Sequence, residues 1–145
     1  IEILDAGAPF VAVDATSRYR PGGEHLGDIV RTIHGRQAVA LGDLASIDDL
    51  PHALESDIDA VGTTLSGHTG DGPVPGDPDF DLLARLVRDS PVPVYAGGRY
   101  WTPEQVLHAF GLGASFVVVG AAITNPMAIT SRFVRAIERD GPAGA

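Results

Sequence analysis

Three short stretches of this sequence concentrate side chains capable of chemistry. The first is Asp14-Ala15-Thr16-Ser17-Arg18-Tyr19-Arg20-Pro21, which closes the apolar run that begins at Phe10. A carboxylate at the end of a buried run costs free energy unless something partners it. Asp14 therefore reads either as a catalytic group or sugar-hydroxyl acceptor, with Arg18 beside it, or as half of a structural ion pair with Arg18 or Arg20. Asp43 stands in the same kind of position, but an aspartate there can also simply cap the next helix. The second stretch is Thr63-Thr64-Leu65-Ser66-Gly67-His68-Thr69. It offers the hydroxyls of Thr64 and Ser66 and the His68 imidazole to a polar ligand. The third pairs Gly97-Gly98-Arg99 with Gly120-Ala121. Glycines let backbone N–H groups approach an anion closely, so these two turns can cradle a phosphate. They can equally be tight turns and nothing more.

Other chemistries find no footing. The histidines at 25, 34, 52, 68 and 108 have no metal-ligand spacing. Asp77, Asp79 and Asp81 alternate like the start of a calcium loop, but the glycine and closing glutamate are missing. Ser66 lacks a Gly-x-Ser-x-Gly elbow. With no cysteine there is neither disulfide nor thiolate chemistry. No metal site is expected. The net charge of −9, with only 10 basic residues, argues against a nucleic-acid partner, which requires a basic face. No apolar run approaches the ~20 residues of a membrane span and no signal peptide is visible, so the expectation is a cytoplasmic protein without membrane contact.

The elements that must position these residues are legible as alternating strands and helices. Five apolar, β-branched runs recur at Phe10–Asp14, Ala38–Gly42, Ile58–Thr64, Val92–Ala96 and Phe116–Gly120. Being apolar throughout, they predict strands of a parallel sheet buried on both faces. Ser46 predicts an N-cap for a helix through Leu54, with Asp48 and Asp49 in its first turn. The Asp77–Asp81 stretch starts a helix whose Leu82, Leu83, Leu86 and Val87 share a face. Thr102, Pro103 and Gln105 form a cap, a proline at the first helical position and a capping box. Asn125 and Pro126 repeat the device ahead of Ile129, Phe133, Ala136 and Ile137. Ile1 to Ala8 reads as the last turn of a helix ending at Gly7.

Strand followed by helix, repeated, leaves an open doubly wound sheet or a TIM-type barrel, and both bind ligands beyond the C-terminal strand ends. A complete barrel has eight units in ~250 residues. Five units in 145 residues, opening inside a helix and on Ile1 rather than Met, predict the C-terminal five units of a (β/α) barrel over residues 1–140. A frayed tail is expected over 141–145. The last two strand ends would then be those after strands 7 and 8, where such barrels often hold phosphate. An open five-strand sheet exposes two edges and an apolar interior, which predicts a homo-oligomer.

At these strand ends the sequence resembles the N-acetylmannosamine-6-phosphate 2-epimerase family. Asp14 through Pro21 is similar to its Asp-Ala-Thr-x-Arg-x-Arg-Pro stretch. Val61-Gly62-Thr63-Thr64-Leu65-Ser66-Gly67-His68-Thr69 is similar to its Val-Gly-Thr-Thr-Leu-Ser-Gly-Tyr-Thr, with His68 at the tyrosine. Thr102-Pro103-Glu104, Val118-Val119-Gly120 and Ile123-Thr124 follow in order. The resemblance covers almost the whole chain. It implies a TIM barrel that moves the C2 proton of a 2-acetamido sugar 6-phosphate without metal or organic cofactor, in amino-sugar and sialic-acid catabolism. It further implies a catalytic lysine on an earlier strand. The sequence departs from the family at Gly97, where a glutamate is usual, and at Asn125, where an arginine is usual. The alternative is a catalytically degenerate phosphosugar-binding or regulatory module.

Overall fold

The structure, a computed structural model, describes residues 2–70 and 76–140; the expected tail at 141–145 lies outside them. The chain runs α1 (Glu2–Asp5), β1 (Phe10–Asp14), α2 (Leu26–His34), β2 (Val39–Asp43), a 3-10 turn (Ile47–Asp49) leading into α3 (Leu50–Glu55), β3 (Ala60–Gly62), α4 (Phe80–Asp89), β4 (Val94–Gly97), α5 (Pro103–Gly111), β5 (Phe116–Val118), α6 (Ala121–Thr124) and α7 (Pro126–Asp140). All five strands are parallel and stand in the sheet in chain order, β1-β2-β3-β4-β5. A doubly wound sheet reverses its strand order at a switch point. Unbroken sequential order is that of a barrel wall, and the chain is part of a (β/α) barrel.

The two faces of the wall differ. On the outer face, Leu26, Val30 and Ile33 of α2, Leu50 and Ala53 of α3, Leu82, Leu83 and Leu86 of α4, and Ala109 of α5 join Ala40, Val61, Val94 and Ala96 in one continuous core. On the inner face Leu41, Ala60 and Tyr95 form a small separate cluster with Val39 and Phe116 against it. Period-two alternation therefore turns Phe10, Ala12 and Asp14 inward, since Val11 and Val13 pack on the outer core. Burial on both faces holds for β2, β3 and β4 but not for β1 and β5. Phe10 is 59% exposed and Val118 46%, because each outer strand has a neighbour on one side only.

The expected start signals form as drawn. The Ser46 side chain accepts from the Asp48 amide, and the Asp49 carboxylate returns to the Ser46 N–H. Thr102 and Gln105 make the full capping box over Pro103. The Asn125 side-chain Oδ1 accepts from the Ala128 amide at the head of α7. Gly7 takes the left-handed conformation, φ +83°, that ends α1. Two features differ from expectation. Helix α2 starts at His25 without a side-chain cap, and a four-residue helix, α6, precedes the expected last one. The third, fourth and fifth strands are also shorter than their apolar runs, so Thr63, Thr64, Val119 and Gly120 belong to the loops that leave the wall.

Among the described residues no helix is long and apolar enough to cross a membrane.

Candidate active site at the C-terminal strand ends

Parallel register brings the strand ends level: Asp14 lies opposite Asp43, Asp43 opposite Gly62, Gly62 opposite Tyr95, and Gly97 opposite Val118. Asp14 is fixed by its own loop. Its Oδ1 accepts from the Thr16 amide at 2.9 Å and the Thr16 hydroxyl at 2.6 Å, and its Oδ2 accepts from Arg18 at 2.6 Å. The Arg18 Nε donates in turn to the Thr16 hydroxyl at 3.1 Å. Arg20 donates to the Asp14 carbonyl at 2.5 Å, so it holds the backbone and not the carboxylate. Partial burial pushes the Asp14 carboxyl up, but the Thr16 donors and the Arg18 guanidinium together outweigh it. The group is held below its ordinary value and is ionised at neutral pH. A hollow of about 540 Å³ opens beside this loop, lined among others by Asp14, Arg18, Tyr19, Arg20 and Glu24.

Of the two readings of Asp14, the structure shows the ion pair, made with Arg18 and not Arg20. Asp14 and Arg18 form an ion pair, and that pair is half-exposed, with 42% and 50% of the two side chains open. A pair formed only for stability gains little at such exposure. A half-exposed pair on the inward strand face, beyond the wall, is suited to touching a ligand.

The β3 end is organised by hydroxyls. Buried Thr63 donates to the Gly97 carbonyl at 2.9 Å and accepts from the Gly97 amide at 3.1 Å. Thr64, on the inward side, sits against Gly97 so closely that any Cβ at 97 would collide with its Oγ1. Position 97 cannot carry a glutamate unless Thr64 turns away. Ser66 is buried and donates to the Asp79 carboxylate at 2.5 Å, whose other oxygen caps α4 through the Leu82 amide. His68 is exposed, its amide closing a turn on the Leu65 carbonyl.

The glycine turns after β4 and β5 lie side by side. Gly98 and Arg99 are both left-handed, φ +86° and +64°. A Cβ at Gly98 would press on the Thr64 carbonyl at 3.1 Å, so only glycine suits the close approach there. The Gly97 amide is already taken by Thr63, and the Arg99 guanidinium reaches back to the Ser66 carbonyl and to the Asp77 carbonyl at 2.7 Å. Gly120 and Ala121 are exposed, and α6 begins at Gly120 with no side-chain cap. In this corner Arg99 therefore serves as a strap between the β3 and β4 loops.

Two residues escaped the sequence reading as a pair. Tyr95, 1% exposed, donates its hydroxyl to Asp43 Oδ1 at 2.6 Å. Nothing local links them, and only strand register could have found the contact. Among the described residues no group of three or more histidines, aspartates or glutamates is placed to hold a metal ion.

Comparison with known proteins identifies the family and the fold. The family model described as "Putative N-acetylmannosamine-6-phosphate epimerase" matches residues 1–139. A relative from Clostridioides difficile, named "Putative N-acetylmannosamine-6-phosphate 2-epimerase", is 41% identical over 94% of this chain and 61% of its own length. The "Bifunctional enzyme NanE/NanK" of Brucella melitensis is 45% identical over 94% of this chain and 26% of its own. The solved N-acetylmannosamine-6-phosphate 2-epimerase of Clostridium perfringens superposes with a TM-score of 0.87 at 40% identity, over 92% of this chain and 58% of that one. The chain thus spans about three fifths of the epimerases it matches.

Proposed function

We propose, since the chain belongs to the N-acetylmannosamine-6-phosphate epimerase family, that it carries part of a site interconverting N-acetylmannosamine 6-phosphate and its gluco epimer by proton transfer at C2. The observation that carries this reading is the Asp14–Arg18 pair, ionised and half-exposed on the inward face of a family-matched barrel wall. In the open-chain sugar, a base removes the C2 proton and the C–H electron pair moves onto the C1 carbonyl oxygen as an enolate. Return of a proton to the opposite face inverts C2. The family resemblance implies a lysine on an earlier strand as one acid–base group; within residues 1–145 the ten basic residues are all arginine, which stays protonated and cannot act as a base. Asp14 can take the proton, and the Arg18 guanidinium can hold the developing enolate oxygen, the larger electrostatic contribution in such reactions.

The phosphate end is assigned to the backbone N–H groups at Gly98 and Gly120, which need no cation in an acidic chain. Thr64 stands on the inward side between the two ends and is assigned to the sugar. Ser66 is occupied by Asp79 and acts by shaping its loop. His68, exposed beside them, is assigned to the rim. The identities to epimerases over 94% of the chain favour this reading over a degenerate binding module.

The test is proton NMR of N-acetylmannosamine 6-phosphate with the protein in D2O. Loss of the C2 proton signal with appearance of the gluco epimer supports the proposal, and Asp14→Asn should abolish it. Binding by calorimetry without exchange would move the reading to a phosphosugar-binding module. Neither binding nor exchange would overturn both.

A further inference from the structure

The Asp14 constellation leaves one buried ionisable group of the inner face without a task. Tyr95 is held at one ring edge and on one face. One edge of its ring lies over Gly62, where any Cβ would fall within the ring atoms, and Phe116 stacks on it at 5.0 Å with planes 7° apart. The hydroxyl of the ring so held donates to Asp43 Oδ1 at 2.6 Å, with the Thr64 side chain also beside it. Asp43 is the register partner of Asp14 on the neighbouring strand. Among the described residues no arginine or histidine forms an ion pair with it, and Tyr95 is the side-chain donor to its carboxylate.

We propose that Asp43 is a carboxylate that contacts the substrate, accepting from sugar hydroxyls between the reacting carbon and the phosphate, and that Tyr95 is its positioning residue. The inference rests on the epimerase reading above. Strand order supplies the argument. The reacting end is assigned to β1 and the phosphate end to the turns after β4 and β5, so the chain of hydroxyls between them passes β2 and β3. Asp43 ends β2. An ionised carboxylate accepts through both oxygens; Tyr95 satisfies one, and a hydroxyl-rich ligand satisfies the other. Burial above all, and then the Asp43 charge, push the Tyr95 hydroxyl far above its ordinary value. It therefore remains a donor throughout the physiological range and holds the Asp43 carboxylate in one rotamer.

The experiment is calorimetric titration of N-acetylmannosamine 6-phosphate into the protein and its Asp43→Asn, Tyr95→Phe and double variants, with thermal melting of each. Tyr95→Phe keeps the ring over Gly62 and against Phe116, and Asp43→Asn keeps the shape. Asp43→Asn should weaken binding at least about tenfold, the loss of one charged hydrogen bond, and Tyr95→Phe about fivefold. The double variant should bind no worse than Asp43→Asn alone, because Tyr95 acts through Asp43. Losses that multiply in the double variant would show independent structural damage and overturn the pairing. A wild-type protein that binds, with variants that bind equally well, overturns this inference alone. A wild-type protein that does not bind overturns it together with the epimerase reading.

Discussion

The Thr63 hydroxyl donates to the Gly97 carbonyl at 2.9 Å and accepts from the Gly97 amide at 3.1 Å, so one side chain pins the end of β3 to the end of β4. Thr63 is 1% exposed, and water cannot replace it. Thr63→Val keeps the volume and removes the hydroxyl, leaving both Gly97 groups without that partner. The expected cost is about 1–3 kcal/mol, read as a lower midpoint in urea with an unchanged slope. A midpoint equal to that of the wild type would show that Gly97 finds other partners.

Gly62→Ala tests the contact beneath Tyr95. The new methyl would fall within the Tyr95 ring, and overpacking of a filled core costs about 1–3 kcal/mol. The same substitution in a Tyr95→Leu background should be nearly neutral, since the colliding atoms are gone. Equal destabilisation in both backgrounds would place the strain in the backbone of β3.

Asp14 makes stability depend on acid in a definite direction. Its carboxyl is held below its ordinary value of 3.8, so its stabilising contribution is complete above that value. The contribution is lost as pH falls through the lowered native value. In Arg18→Gln the Asp14 titration, followed by carbon NMR of its carboxyl, should move upward toward 3.8 while the Thr16 bonds keep part of the depression. No movement would mean that Thr16 alone sets it.

For residues 1–145 taken alone, self-association is expected from the inner face and the outer strands. Phe10 and Val118 expose apolar surface beside the unpaired edges of β1 and β5, and Phe133 and Ile137 of α7 are 68% and 60% open. Unprotected edges with apolar flanks are templates for pairing. Light scattering should give a mass above that of one chain, falling toward it in Phe10→Lys/Val118→Lys. A wild-type monomer at high concentration would refute the expectation.

Local chemistry was legible and long-range chemistry was not. The α5 capping box is contained within Thr102 to Gln105, and the Asp14–Arg18 pair spans one turn's length of chain, so composition and spacing sufficed for both. Helix α2 was missed although Leu26, Val30 and Ile33 recur at helical spacing. It follows a glycine-rich segment and starts at His25, which supplies no side-chain cap, so no start signal marks it. The partners of the β3–α4 loop were hidden for another reason: Ser66–Asp79 and Arg99–Ser66 join residues far apart in the chain. Asp43 and Tyr95 meet only because Gly62 lies between their strands. Burial on both faces was overdrawn for β1 and β5 because an apolar run records what a strand is made of, not how many neighbours it has.

The division of the wall into a continuous outer core and a small inner cluster has an evolutionary consequence. Residues that pack against the helices and residues that face the barrel interior sit on opposite faces of the same strands, at alternate positions. A substitution at 14, 43, 62, 95 or 97 leaves the packing between helices and wall untouched, whereas one at 40, 61 or 94 does the reverse. Such a wall can drift in specificity, gaining a tyrosine at one inward position or giving up a side chain at the next, while descendants inherit the same scaffold.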